Sequence, residues 1–443
     1  MATLPYNSLT INNITSNTPP PYSLGILGGG TVGGGLVRLI QNQLGHPPLP
    51  VLIGKIGVRD LSKSRKFKLP SSLMTEDLES IVENPAIDIV VEALGGLEPA
   101  RTYLEKALIS GKHVVTANKY VVAESGDHLM KIAEAKQRHF LYEASIAGSI
   151  PIVRVLKEFA VGDRVKRLLG ILNGTSNFVL TRMTQSGESL HKALAIANKL
   201  GFAEADPSFD VSGQDAGQKL SILVNLLNQS YCSKRLLEVR GIEMLLLEDI
   251  EFATRHGWVI KPMAIYEELQ GQAVAWVEPL LVSRDSLLGS VQNEYNVVCL
   301  DYLHIGRQIL MGKGAGEMPT ASAIYSDIAQ IVASPLNQTK TQNSILSIES
   351  RQLLTLVDNP TPVRFYVRVS MNKSNQGFGR MEKGLANWSE GVLCIQKART
   401  RGSSWLQFLT RPIAYADLLK LLDEINSYDL PVQLTWLRIL ESI

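Results

Sequence analysis

Three cysteines in 443 residues, Cys232, Cys299 and Cys394, are too few, too far apart and odd in number for a disulfide framework, and they lack metal-ligand spacing. They read as reduced core thiols, which places the chain in the cytoplasm. Long apolar runs are missing as well: nothing approaches the roughly 18 residues that a membrane helix needs, and the opening MATLPYNSLTINNITSNTPPPYS has no apolar core of signal-peptide length, so it reads as a flexible tail. No charge of one sign prevails, since 44 basic side chains face 42 acidic ones and no Lys/Arg block forms. Such a surface offers no field for nucleic acid or for an anionic membrane, so small molecules are the expected partners. What is present, 45% hydrophobic and 19% charged residues, is the composition of a soluble globular protein long enough for two or three domains.

The chain is organised around residues 201–227, GFAEADPSFDVSGQDAGQKLSILVNLL. From Ser212 onward, Ala216, Leu220, Leu223, Val224 and Leu227 recur at helical spacing and make one core-facing stripe. Asp215, Lys219, Ile222 and Leu226 form a row beside it, so an acid and a base one turn apart lead into an otherwise buried face. Two readings stand. In one, Ser212 is an N-cap, Asp215 completes a capping box and Lys219 is its ion partner. In the other, Glu204, Asp206 and Asp210, in the loop between Gly201 and Gly213, join the lysine in a pocket that holds an ammonium group and moves a proton.

Near the N-terminus the apolar strand Tyr22 to Leu27 runs into GGGTVGGG and the helix LVRLIQNQL. Gly28, Gly30 and Gly33 fit G-x-G-x-x-G in a strand-turn-helix setting, where the helix start at Thr31 and Val32 offers N–H groups to a pyrophosphate. The alternative is a glycine turn that binds nothing. After the second strand, VLIGKIGV, come Arg59, Asp60, Lys63 and Arg65 in place of a ribose-binding acid. Positive charge from Arg59 and Lys63 suits a 2′-phosphate, so NADP(H) is expected ahead of NAD(H), unless the loop is simply solvated. Strands in IDIVVEALGG, HVVTANK and FLYEAS alternate with helices in EPARTYLEKALISG and from about Glu124 to Gln137, which describes an α/β fold with a Rossmann-type doubly wound sheet. Ligands of such sheets sit at the carboxyl ends of the strands, so Ala93, Leu94 and the following glycines, with Thr116 to Lys119, face the nicotinamide half of the cofactor. Lys119 there is either a chemical or a structural lysine.

The pattern then changes to a mixed α+β region, with PIVRVLKEF as a helix, VKRLLGIL as a strand and NGTSNF as a polar turn opening another helix. A second glycine turn, in MGKGAGEMPTASA, feeds a helix through Pro319 and the cap candidate Thr320, crossing back to the nucleotide domain. Residues 337–343, NQTKTQN, mark a linker, and beyond them the β-α-β-β-α-β order is that of a small ferredoxin-like module. The expected organisation is a tail at 1–22, a nucleotide-binding domain at 23–155 completed by about 316–334, a substrate and dimerisation domain at 156–315, a linker at 335–360 and a separable regulatory module at 361–443.

The blocks GGGTVGGG, VVEALGGLEPA, GKHVVTANK, YEASIAGSIPIV, GILNGTSNF, LGFAEADPSFDVSGQDAGQKL and GKGAGEMPTASA, in this order, resemble the homoserine dehydrogenase family from the glycine turn to about residue 333. The resemblance implies NAD(P)H-dependent, reversible reduction of L-aspartate 4-semialdehyde to L-homoserine, on the route to threonine and methionine, in a homodimer or homotetramer. It implies that Lys219 is the acid/base, that Lys119 lies between cofactor and substrate, and that Glu204, Asp210, Asp215, Asn173 and Thr175 line the substrate. It also puts Gly201, Gly314 and Gly316 at the cofactor, and makes Glu143 with the carbonyls of Ile146, Gly148 and Ile150 a site for a monovalent cation, Na or K. Three departures stand out. Ser149 replaces a usual second glycine, Arg240 in EVRGIE replaces a usual Glu, and the C-terminal module, which looks like an ACT domain, lacks in SMNKSNQGFGRM the Asp-x-x-Gly-Val-Leu turn that holds an amino acid. Two other readings are a non-catalytic NADP-binding sensor, which would have lost Lys119 and Lys219, and an oxidoreductase acting on another amino acid.

Overall fold

The computed structural model describes residues 21–42, 44, 48–228, 237–269, 272–333, 353–354, 361–372, 392–399, 403–427 and 432–441. They divide into two compact units, one running to Glu158 and resuming at Lys313, the other running from Phe159 to Gly312 and resuming at Glu349.

In the first unit six parallel strands form one sheet: β1 (Tyr22–Leu27), β2 (Val51–Gly57), β3 (Met74–Thr75), β4 (Ile89–Glu92), β5 (His113–Thr116) and β6 (Phe140–Leu141), in the order β3-β2-β1-β4-β5-β6. The chain reverses direction across the sheet between β1 and β4, the switch point at which doubly wound sheets open a crevice for a ligand. Leu24, Ile26, Ile89, Val91 and Val115 are buried together, the continuous apolar reading of strands covered on both faces. The helix Thr31–Gln41 meets the helix Glu317–Ala333 at Gly35, where a Cβ would lie 2.8 Å from Glu317 Cγ and 3.3 Å from Ala321 Cβ. Ala321, Ile324 and Ile328 complete this core, so the segment after the second glycine turn returns here. That helix starts at Glu317, leaving Thr320 buried inside it and not at the cap. Two further boundaries differ from the sequence reading. The strand expected through FLYEAS ends at Leu141, with Glu143–Ser145 forming a 3-10 turn. The helix expected from Glu124 begins at Lys119, because the Asn118 side chain accepts the N–H groups of Tyr120 (3.1 Å) and Val121 (3.4 Å) and caps it there.

The second unit is built on a mixed sheet. Its strands are β7 (Val165–Ile171), β8 (Glu238–Val239), β9 (Trp258–Leu269), β10 (Gln272–Ser283), β11 (Tyr295–Tyr302), β12 (Arg307–Lys313), β13 (Leu353–Leu354), β14 (Phe365–Asn372), β15 (Val392–Arg399), β16 (Ser403–Thr410) and β17 (Val432–Leu440). They run in the order β12-β11-β7-β9-β10-β17-β14-β16-β15, with β8 and β13 also paired to β10. The C-terminal strands expected as a module apart are thus part of this sheet: β17 lies parallel to β10, Leu280 beside Arg438 through Val282 beside Leu440. Their physical reason is apolar cover. Phe365, Val367, Phe408, Leu418 and Trp436 share one core with Leu169, Met263, Trp276 and Val282. On the other face Arg368 and Asp249, both fully buried, form an ion pair at 2.7 Å, and Asp249 also accepts the Tyr366 hydroxyl at 2.6 Å. The helix expected near Gly379 to Trp388 and most of the expected linker lie outside the described residues. PIVRVLKEF is helical in two parts, Ile152–Arg154 and a π turn over Val155–Phe159.

Candidate functional site

In the mixed-sheet unit the helix Gln214–Asn228 carries Asp215 and Lys219 in its first two turns. Gly213, with φ 78°, precedes it, while the Ser212 hydroxyl turns to the Phe209 carbonyl, so the Ser212 cap expected in the first reading is not made. Asp215 is 2% exposed. Its Oδ2 takes Lys219 Nζ at 2.7 Å and Asn173 Nδ2 at 2.8 Å. The same Asn173 nitrogen donates to Asp210 Oδ1 at 2.7 Å, and the Asn173 Oδ1 accepts the Ser176 N–H at 2.8 Å, capping the helix Gly174–Ser186. Lys219 Nζ also donates to the Leu172 carbonyl at 2.7 Å, which receives Asn296 Nδ2 at 3.0 Å. One cap residue therefore ties Asp210, on the short helix Ser208–Val211, to Asp215, which holds Lys219 on the next helix. Thr175 donates its hydroxyl to the Phe202 carbonyl at 2.7 Å, tying down the loop that follows. Glu204 is exposed and is held through its carbonyl, by Asn198 Nδ2 at 3.0 Å. Asp206 accepts the N–H of Ser208, the first residue of the short helix, at 3.0 Å, which holds its carboxyl below the usual range. Gly201, with φ 79°, is the left-handed cap of the helix Leu190–Leu200.

In the nucleotide unit the glycine turn is closely packed. A Cβ on Gly28 would lie 2.6 Å from the Ala93 carbonyl, and one on Gly33 would collide with the Gly28 carbonyl, so β1, the helix and the end of β4 close tightly around the turn. A Cβ on Gly30 would meet nothing within 4 Å. The helix that opens at Thr31 and Val32 has no side-chain cap and no acid in its first turn, which leaves its N–H groups for an anion. These residues fit a dinucleotide pyrophosphate. Arg59 and Lys63 are exposed just past β2, while Arg65 folds back onto the carbonyls of Asp60, Leu61 and Lys63.

Behind the ends of β4 and β5 lies a network that sequence reasoning missed. Glu92 is fully buried, and burial pushes its carboxyl up. It accepts the Leu94 N–H at 2.7 Å, the Gly95 N–H at 3.3 Å, the Thr116 hydroxyl at 2.5 Å and Asn118 Nδ2 at 3.3 Å. Asn118 Nδ2 also donates to the Gly96 carbonyl at 2.6 Å. The loop from Ala93 and the start of the Lys119 helix are thereby fixed to one carboxylate. A lone acid ending an apolar strand was the available signal. Lys119 is half-buried, with Nζ 5.6 Å from the centre of the Tyr120 ring.

Glu143 is buried, and its carboxylate accepts the Val153 and Arg154 N–H groups, each at 2.8 Å. Burial raises it, and Asp327, whose Oδ2 accepts the Glu143 N–H at 3.0 Å, is pushed up to about 7 by burial and by Glu143. Each Glu143 oxygen thus takes one N–H, which fixes the carboxylate beside the turn through Ile146, Gly148 and Ile150. Ala147 and Gly148 are left-handed, with φ 52° and 56°, and Gly148 lies where a Cβ would press on the Gly314 carbonyl at 2.7 Å. Ser149 donates N–H and hydroxyl to the Lys313 carbonyl, each at 3.2 Å, so this departure from the family pattern fastens the second glycine loop, in which Gly316 has φ 125°.

Residues 151–329 match the family described as "Homoserine dehydrogenase", and residues 28–143 match "Homoserine dehydrogenase, NAD binding domain". The chain is 36% identical over 418 residues to a homoserine dehydrogenase of Synechocystis sp., covering 92% of this chain and 96% of that relative. It is 39% identical over 313 residues to one of Bacillus subtilis, covering 70% and 72%. The solved homoserine dehydrogenase of Thiobacillus denitrificans superposes with a TM-score of 0.82 at 29% identity, over 95% of this chain and 98% of that one. A hyperthermophilic archaeal homoserine dehydrogenase in complex with NADPH gives 0.57 at 27% identity, over 70% and 97%.

Proposed function

The chain belongs to the homoserine dehydrogenase family of oxidoreductases, and from that premise we propose that Lys219 is the proton-transfer group of its reaction. The observation that carries this is the lysine's double anchorage, to Asp215 and to the Leu172 carbonyl, both at 2.7 Å. An ammonium has three N–H donors, so one remains for the substrate oxygen. A bound nicotinamide cofactor supplies the hydride for the aldehyde carbon of L-aspartate 4-semialdehyde, or accepts it from L-homoserine. As charge gathers on the oxygen, Lys219 stabilises it and releases a proton to it; in the reverse direction it takes the hydroxyl proton. Asp215 holds the lysine in place, and Asn173 holds Asp215 and Asp210. We assign the substrate ammonium to Asp210, Asp215 and Glu204, and the support of their loop to Thr175. Lys119 is the second lysine assigned to the chemistry.

For the cofactor we assign Gly28, Gly30, Thr31, Val32 and Gly33 to the pyrophosphate, and Ala93 and Leu94 to the nicotinamide side. Gly314 and Gly316 flank it, and Gly201, a helix cap in the structure, keeps only an indirect role. Arg59 and Lys63 favour NADP(H) over NAD(H). The archaeal relative solved with NADPH supports a pyridine nucleotide. A monovalent cation would be held by Glu143 with the carbonyls of Ile146, Gly148 and Ile150. The antiparallel order β17-β14-β16-β15 with the helix Tyr415–Asn426 supports an ACT-like reading of the C-terminal strands. A homodimer or homotetramer in the cytoplasm completes the proposal; no helix among the described residues is long and apolar enough to cross a membrane. The test is oxidation of NADPH and of NADH by the full chain with L-aspartate 4-semialdehyde, with and without threonine. Turnover with a higher kcat/KM for NADPH is expected, and none with either cofactor would sink the reading.

A further inference from the structure

We propose that Arg240 is a positioning residue of the active site, through which strand β17 sets the place of the helix that carries Asp215 and Lys219. This rests on the roles assigned to those two residues above.

The backbone around Arg240 is bedded on the start of that helix. Arg240 N–H donates to the Val277 carbonyl at 2.8 Å, continuing the pairing of β8 with β10, and Ile242 N–H donates to the Val211 carbonyl at 2.8 Å. Glycines stand where the two stretches touch. A Cβ on Gly213 would lie 3.2 Å from both the Arg240 carbonyl and a Val239 methyl, one on Gly217 would lie 2.9 Å from Val239, and one on Gly241 would lie 2.5 Å from Ser212 Cα. Packing this close, on the Arg240 carbonyl, the Ser212 backbone and a β-branched valine, leaves little room to absorb a shift. Asp215 comes two residues after Gly213.

The side chain of Arg240 points the other way, into the C-terminal strands. Its guanidinium donates to Glu278 Oε2 at 2.5 Å and to the Trp436 carbonyl at 3.1 Å, and lies 3.1 Å over the centre of the Trp436 ring. Glu278 is 1% exposed, accepts Trp276 Nε1 at 2.9 Å and lies 3.4 Å from Arg438 Nε. Beside it, Tyr415 donates its hydroxyl to Glu238 Oε1 at 2.9 Å. A planar guanidinium can bind a carboxylate and stack on an indole at once, which a glutamate at this position could not do. The departure from the family residue is thus matched by partners on β10 and β17. A displacement of β17 moves the surface on which Arg240 is stacked, and the rigid contact at Gly213 passes that displacement to Asp215.

The experiment uses the full chain, with each variant kept at a temperature where circular dichroism shows it folded. Arg240→Met is expected to raise KM for L-aspartate 4-semialdehyde about tenfold, while KM for NADPH stays as in the wild type. Trp436→Leu should give the same split, and the double variant should be no worse than the stronger single one. Arg240→Lys should recover only part of the loss. Val369→Ala, a cavity in the same C-terminal sheet, should lower the melting temperature with KM unchanged. A wild-type KM in Arg240→Met, or effects of Arg240→Met and Trp436→Leu that multiply, overturns the proposal. If Arg240→Met does not fold, Arg240→Lys and Trp436→Phe carry the same comparison. Lys219→Ala separates the two levels. Retained turnover there would remove the catalytic assignment itself, whereas an inactive Lys219→Ala beside an unaffected Arg240→Met would overturn only the coupling.

Discussion

The nucleotide unit and the mixed-sheet unit keep the groups proposed to be functional in different materials. In the first, Arg59, Lys63 and Lys119 apart, they are backbone: the helix N–H groups after Gly30, the glycines pressed between β1 and β4, the strand ends fixed by Glu92. In the second they are side chains, Lys219, Asp215, Asp210 and Asn173, joined by bonds of 2.7–2.8 Å. The difference has a chemical cause. A pyrophosphate is large and evenly charged, so a row of N–H groups meets it. Proton transfer to one oxygen needs a titratable group held in one place. The first unit should therefore be damaged by adding atoms, the second by removing them.

The largest effect expected is Lys219→Ala, which should lower kcat roughly 100- to 10,000-fold while leaving NADP(H) binding, followed by fluorescence titration, as in the wild type. A variant that turns over normally would erase the contrast between the units. Next comes the buried pair behind the mixed sheet. Arg368→Met leaves the Asp249 carboxylate enclosed without its partner and should cost about 3–5 kcal/mol in urea unfolding, with Asp249→Leu added to it restoring most of the loss. An Arg368→Met protein of wild-type stability would mean that the C-terminal strands are only loosely joined. By the same reasoning, truncation after Ser334 should leave the mixed-sheet unit unable to fold, since it strips β17 from β10.

Smaller effects sharpen the nucleotide side. Arg59→Ala should weaken NADPH by about 1.5–3 kcal/mol and NADH hardly at all; equal losses would leave the loop merely solvated. Gly33→Ala, whose Cβ would collide with the Gly28 carbonyl, should destabilise the fold by about 1–3 kcal/mol or more. Gly30→Ala has open space in the protein and should fold normally but bind cofactor less tightly. A Gly30→Ala protein with unchanged cofactor affinity would show that the turn binds nothing.

These units were also unequally legible in the sequence. The nucleotide turn could be read because Gly28 and Gly33 answer to close backbone contacts within it, and Asp215 with Lys219 because helical spacing puts them one turn apart. Asn173, the Leu172 carbonyl and Asn296 join that pair only through the tertiary fold, so no spacing announced how they are arranged. Asn118 hid in what looked like the end of a strand, yet its side chain starts the next helix. Most instructive is the C-terminal segment. Its four strands and the helix Tyr415–Asn426 could be read, but β17 bonds to β10, far back in the chain, and apolar periodicity does not say which neighbour will cover an edge. Arg240 was visible only as an odd residue until Glu278 and Trp436 appeared beside it.

The smallest expected effect concerns Lys261, a lysine on β9 that is 4% exposed. Its Nζ donates to the Val291 carbonyl and, at 3.4 Å, to Asn177 Oδ1, and no carboxylate is among its described partners. Burial without a counter-charge lowers it to about 8. A lysine in the unfolded chain keeps its proton up to about 10.4, so between these values the unfolded state binds more protons than the folded one. Stability then rises with pH across that window, by at most about 1.4 kcal/mol per pH unit, and below pH 8 the lysine gives no slope because both states hold the proton. Tyr366 and Tyr415, both pushed up by burial, act in the opposite sense once unfolded tyrosine ionises, so the useful range is about pH 8 to 9.5. Unfolding of the wild type and of Lys261→Met in urea at pH 7, 8, 9 and 9.5 isolates the lysine, because every other group titrates in both. The gap between the two proteins should shift in favour of the wild type above pH 8; parallel curves would show that Lys261 keeps an ordinary affinity for its proton.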